Sequence, residues 1–144
     1  MKLGFISLMN GSPWGGSEQL WFEAAKFAKN RGDQVFSKTQ DWVSWGRTTP
    51  KQITELKNIG VNVEHFKEFS KKDYLIARFK KSLFYEKKVI NFLLFFDKID
   101  LLVINQGTVY DFIAYPELLS ALKKRKIKYG HKPQDLRRAK LIIF

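Results

Sequence analysis

Between Asn10 and Leu20 the chain reads NGSPWGGSEQL, with three glycines and a proline in its first seven residues. A glycine-rich loop just ahead of a helix can hold an anion. The first amides of a helix have no intrahelical acceptor and carry partial positive charge, and glycine puts no Cβ in the way. The residues that could do this are Gly15, Gly16 and Ser17, with Trp14 as an aromatic facing the same cleft. A later apolar run, IDLLVINQG, ends in Asn105, Gln106 and Gly107, which would line that cleft from a second strand. Two phosphate motifs are excluded by spacing. There is no Gly-Lys-Ser/Thr, and Gly11, Gly15 and Gly16 do not make G-x-G-x-x-G. The second strand-like run, DQVFSK, ends in lysine where a ribose hydroxyl would need a carboxylate. On spacing alone the loop is either an anion-facing cradle or an ordinary tight turn.

The other reactive side chains are scattered. His65 falls in an alternating run and reads as a solvent-facing strand residue, and His131 lies far away near the end. With two distant histidines and no cysteine, no metal site is expected. Trp42 and Trp45 either stack on a ring-shaped ligand or fill the joint between a strand and a helix. Asp41 could act as a base, but nothing places a partner near it. No Ser/His/Asp set and no carboxylate pair stands out.

These residues need elements to position them. Lys2–Leu8 reads as a buried strand, and Ser17–Arg31 as a helix capped by Ser17, with Glu18 suited to its positive end and Gly32 as its stop. Its apolar face is read as Leu20, Trp21, Ala24, Ala25, Phe27 and Ala28. Asp33–Lys38 is a second strand. Thr48–Ile59 is a helix with Pro50 in its first turn and Gly60 beyond its end, and Val61–Phe66 is a third strand. A long helical region spans 71–96, with Ile76, Phe79, Leu83, Ile90 and Leu94 on one face. Ile99–Gly107 is a fourth strand, Val109–Lys124 a helix kinked or split at Pro116, and Lys126–Gly130 a fifth strand. Alternating strands and helices, with continuously apolar strands, imply an α/β fold: a parallel sheet with helices on both faces. Ligands of such sheets sit at the carboxyl ends of the strands, near the switch point. The loops after the first and fourth strands should open onto that one edge.

Composition narrows the class. With 144 residues, 44% of them hydrophobic, the chain can bury one substantial core. The net charge of +12 favours anionic partners: phosphorylated ligands, acidic lipid headgroups or nucleic acid. No nucleic-acid motif accompanies the charge, so nucleic acid is the least favoured of these. The most apolar later stretch, Val89–Phe96, is too short to span a bilayer, and the initial run is too short for a signal peptide. A cytoplasmic protein is expected, with peripheral attachment to a membrane left open. FKEFSKKDYLIARFKKSLFYEKK, over Phe66–Lys88, mixes basic and aromatic residues. It reads either as an amphipathic helix on anionic lipid or as a core-facing helix with solvated lysines.

MKLGFISLMNGSPWGGSEQLWFEAAKFAKNRGDQVF resembles the opening of the family-4 (group 1) glycosyltransferases of the GT-B fold. The likeness lies in a strand, a loop ending in Gly15 and Gly16, then Ser17, Glu18, an apolar helix, Arg31-Gly32 and a second strand. KIDLLVINQG is similar to a later strand and turn of that family. The resemblance spans about residues 1–130 and implies one Rossmann-like, acceptor-side domain, with 131–144 as a divergent tail that reads as truncated or frame-shifted. It implies transfer of a sugar from a nucleotide sugar to a glycan or lipid-linked acceptor, without a metal or other cofactor. Gly15 and Gly16 would face the donor diphosphate, and His131 would be the catalytic candidate by position. The family's donor-binding domain, with its Glu-x7-Glu pair, has no counterpart before Phe144. A fragment inactive alone is therefore expected, with that missing domain as its partner. The competing reading is a small basic α/β module that binds an anionic membrane surface or partner.

Overall fold

A computed structural model describes residues 1–9, 12–44, 46–66, 81–105, 115–125 and 140–143. Five strands form one parallel sheet: β1 (Lys2–Ser7), β2 (Gln34–Thr39), β3 (Asn62–His65), β4 (Leu101–Asn105) and β5 (Lys140–Ile143), in the order β3-β2-β1-β4-β5. The described helices are α1 (Gly16–Asn30), α2 (Lys51–Asn58), α3 (Lys81–Phe96) and α4 (Pro116–Lys124).

Strand periodicity sorts the core into two layers. Leu3 and Phe5 of β1, Val35 of β2 and Val103 of β4 pack with Trp21, Phe22, Ala25 and Ala28 of α1 and Ile53 and Leu56 of α2. Ile6, Leu8, Leu102 and Ile104 face the other way, onto Val89, Phe92, Phe95 and Phe96 of α3 and Leu118, Ala121 and Leu122 of α4. The molecule is thus a Rossmann-like α/β domain with helices on both faces of a parallel sheet. β1 is central because every residue in its interior is buried. Gly4 lets the end of α3 and the chain after it lie close: a Cβ there would stand 3.2 Å from Phe95 Cε1 and 2.5 Å from Ile99 Cδ1. Gly32 and Gly60 follow the ends of α1 and α2 with φ of +92° and +82°, the left-handed conformation that glycine adopts without cost.

Several elements differ from the sequence reading. α1 begins at Gly16 with Gly15 as its N-cap, so Ser17 lies inside the first turn and does not cap it. Leu20 and Phe27 point outward, at 67% and 68% exposed; the buried stripe runs through Glu18, Trp21, Phe22, Ala25 and Ala28. On α3, Ile90 and Leu94 likewise face outward, while Val89, Phe92, Phe95 and Phe96 enter the core. On α1 the expected face was right at Trp21, Ala25 and Ala28 and wrong at Leu20, Ala24 and Phe27; on α3 it was wrong at Ile90 and Leu94, because apolar residues occupy more than one stripe of each helix. Pro50 is the N-cap of α2, and Pro116 is the first residue of α4 with Tyr115 as its N-cap; the part of that helix expected over 109–114 lies outside the described residues. β5 comes from Lys140–Ile143, within the segment read as a tail. The fifth strand expected at 126–130 and the helical region expected over 71–80 lie outside the described residues, as do Gln106 and Gly107 of the expected turn.

Candidate functional site

β1 is the switch point of the sheet: the chain runs β1-β2-β3 to one side and β4-β5 to the other. At the carboxyl ends of the two adjoining strands, Ser7 of β1 and Asn105 of β4 are direct register partners. Both apolar runs end in a small polar residue, and these two residues meet the start of α1.

Glu18 joins them. It is 2% exposed, and its Oε1 accepts hydrogen bonds from Ser7 Oγ at 2.5 Å and Asn105 Nδ2 at 3.0 Å. Oε2 accepts one from Ser17 Oγ at 2.8 Å. A carboxylate this deep is tolerated only when its oxygens are hydrogen-bonded, and three donors meet that need. Its place in the first turn of α1 adds the favourable field of the helix N-terminus. Glu18 could have turned back to the amide of its own N-cap, as in a capping box. It binds the strand tips instead, and no side chain caps the helix.

The backbone at the start of α1 is accordingly open to a ligand. Gln19 N–H makes the first intrahelical bond, to Gly15 O at 3.1 Å. The amides of Gly16, Ser17 and Glu18 precede it and have no intrahelical acceptor. A Cβ added to Gly16 would meet nothing within 4 Å, whereas one on Gly15 would meet Met9 Cε at 2.9 Å. Gly16 therefore faces space, and Gly15 is held against Met9. The geometry suits oxygen atoms of an anion or of a polarised hydroxyl, bound through main-chain donors.

The expected site residues divide as follows. Gly15, Gly16, Ser17 and Asn105 come together at the switch point. Asn105 is 2% exposed and its amide is committed to Glu18, so it braces the site from beneath. Trp14 is half-buried. Its ring lies 5.8 Å from Phe22 edge-on and 6.1 Å from Trp21, and its Nε1 donates to Gln19 Oε1 at 3.2 Å. Gln106 and His131 lie outside the described residues, as does Trp45. Trp42 is buried, with the Arg47 guanidinium 5.8 Å from its ring. His65 is half-buried, not solvent-facing. Its Nδ1 lies 3.3 Å from Gln40 O and 3.4 Å from Thr39 Oγ1. Ser7 and Glu18 are the residues that spacing did not mark as part of the site. The available signal was Ser7 closing an apolar strand, matched by Asn105 closing another.

A second polar cluster lies under α3. Lys38 Nζ, on a side chain only 3% exposed, donates to Glu64 Oε2 at 3.1 Å and Asn91 Oδ1 at 2.7 Å, and sits 5.5 Å from the centre of the Phe95 ring. Lys98 reaches the other Glu64 oxygen at 2.5 Å. Burial pushes the Lys38 ammonium below its ordinary pKa, against the hydrogen bond and charge of Glu64. Burial works against the Glu64 carboxylate too, but hydrogen bonds and charge from Lys98 and Lys38 outweigh it and hold its pKa low. Lys38 and Glu64 are register partners on β2 and β3, so this cluster ties an edge strand to α3.

Among the described residues no group of three His, Cys, Asp or Glu side chains is placed to hold a metal, and no helix is long and apolar enough to cross a membrane. No protein-family model, curated protein or solved structure matched the chain.

Proposed function

We propose that this chain is the acceptor-side domain of a glycosyltransferase. It would work with a second domain that binds the nucleotide sugar, and the sugar would pass to a glycan or lipid-linked acceptor. One observation carries the reading: the uncapped start of α1, with Gly16 facing open space, stands at the switch point of a β3-β2-β1-β4-β5 parallel sheet. Ligands of such sheets gather at that crevice. Main-chain amides at a helix N-terminus suit the diphosphate that leaves in sugar transfer, because they stabilise charge developing on the leaving oxygen. In this reading Gly15, Gly16 and Ser17 present the amides, while Glu18, Ser7 and Asn105 hold that backbone in place.

Calorimetric titration with inorganic pyrophosphate, the part of the donor that this chain's amides would hold, tests the proposal. The wild-type chain binds it, and Gly16→Val, whose side chain projects into the open space, loses about tenfold or more in affinity while its melting temperature changes little. Equal affinity in the two proteins contradicts the reading.

A further inference from the structure

We propose that the outward face of α3 rests on an anionic lipid surface. α3 is apolar on two sides. Val89, Phe92, Phe95 and Phe96 fill the core, yet Ile90 and Leu94, one turn apart on the opposite side, are 52% and 58% exposed. Two aliphatic side chains left in water on the outer side of a helix whose other side fills the core gain free energy by entering a second apolar medium. Charge identifies that medium. Together α3 and α4 carry five lysines (81, 87, 88, 123 and 124) against two glutamates (86 and 117), and Glu117 is buried and paired with Lys88 at 3.2 Å. The opposite layer, α1 and α2, also shows apolar residues, Leu20 and Phe27, but carries four lysines against three glutamates. The basic excess therefore lies on the α3 side, and Lys87 stands one turn before Ile90 on the same exposed face.

A net charge of +12 opposes the approach of a second copy of the chain and attracts an anionic surface. Two aliphatic side chains on a convex helix suit shallow insertion at the headgroup level, with lysines reaching the phosphates around them. The pairs that join α3 to α4, Tyr85 Oη to Pro116 O at 3.1 Å and Lys88 to Glu117, make the two helices one docking unit. This inference does not depend on the transferase reading.

Co-sedimentation of the whole chain with vesicles tests it. The protein binds vesicles of mixed phosphatidylcholine and phosphatidylglycerol at low salt, binds more weakly at high salt, and binds phosphatidylcholine alone poorly. Ile90→Gln combined with Leu94→Gln weakens binding about tenfold at an unchanged melting temperature. Leu20→Gln combined with Phe27→Gln, on the other layer, leaves it as in the wild type. The inference is overturned if the α3 pair binds like the wild type, if the α1 pair is the one that releases the vesicles, or if the wild type ignores anionic vesicles. It is equally overturned if the wild type ignores them and instead binds an acidic peptide through Ile90 and Leu94.

Discussion

Asn105 and Glu18, 87 residues apart in sequence, meet at 3.0 Å where the end of β4 touches the first turn of α1. Both are buried, and Ser7, the register partner of Asn105, donates to the same carboxylate oxygen. One side chain thus fixes two neighbouring strand tips and the helix start against each other. The backbone of Gly16 and Ser17 is held in place as a consequence.

Removing that side chain strands two buried donors. Glu18→Ala is expected to cost about 2–3 kcal/mol, since unpaired buried polar groups lose their full desolvation energy. Glu18→Gln costs much less: its oxygen can still accept from Ser7 and Asn105, while its amide donates to Ser17 Oγ. Urea denaturation of the two variants measures the difference. Equal losses would mean that the negative charge, not the bonding pattern, matters.

Two glycines, one within β1 and one at the start of α1, behave oppositely toward a methyl group. Gly4→Ala places a Cβ 2.5 Å from Ile99 Cδ1 and 3.2 Å from Phe95 Cε1, inside the packed layer under α3. It is expected to destabilise by about 1–3 kcal/mol. Gly16→Ala meets nothing within 4 Å and gains helix propensity, so stability stays level or rises slightly. Thermal melts of the pair check the contrast.

The Lys38–Glu64 pair gives stability a pH dependence of known sign. Glu64 is held below its ordinary pKa of 4.5, so the stability it contributes is present above that value and is lost as pH falls through its lower folded pKa. Lys38 is lowered from 10.5 by burial, so between its folded value and 10.5 the unfolded chain holds the extra proton and stability rises with pH. Urea midpoints across pH are expected to show a shallower acid limb in Glu64→Gln. In Lys38→Met the alkaline rise should disappear, and stability at neutral pH should match or exceed the wild type.

Much of this was legible in the sequence, and the failures have physical causes. Continuous apolar runs gave β1 and β4, Gly32 and Gly60 marked the ends of two helices, and strand–helix alternation implied the parallel sheet. On α1 the face was read correctly at Trp21, Ala25 and Ala28, but Leu20 and Phe27, like Ile90 and Leu94 on α3, continue an apolar spacing and face outward. Period tells which residues share a face, not which face meets the sheet. Ser17 looked like a cap because its type favours that position, but the buried Glu18 one residue later draws its hydroxyl. Contacts such as Ser7–Glu18–Asn105 depend on which strands are neighbours, and no local pattern carries that information.

The central claim is that the amides at the start of α1 receive anionic oxygen. Amide chemical shifts of the isotopically labelled chain, followed during titration with inorganic pyrophosphate, test it most directly. The account predicts saturable shifts centred on Gly16 and Ser17, with smaller ones at Gly15 and Glu18 and none along α2. Shifts confined to exposed lysine-rich surfaces, with Gly16 and Ser17 unmoved at saturation, would contradict it.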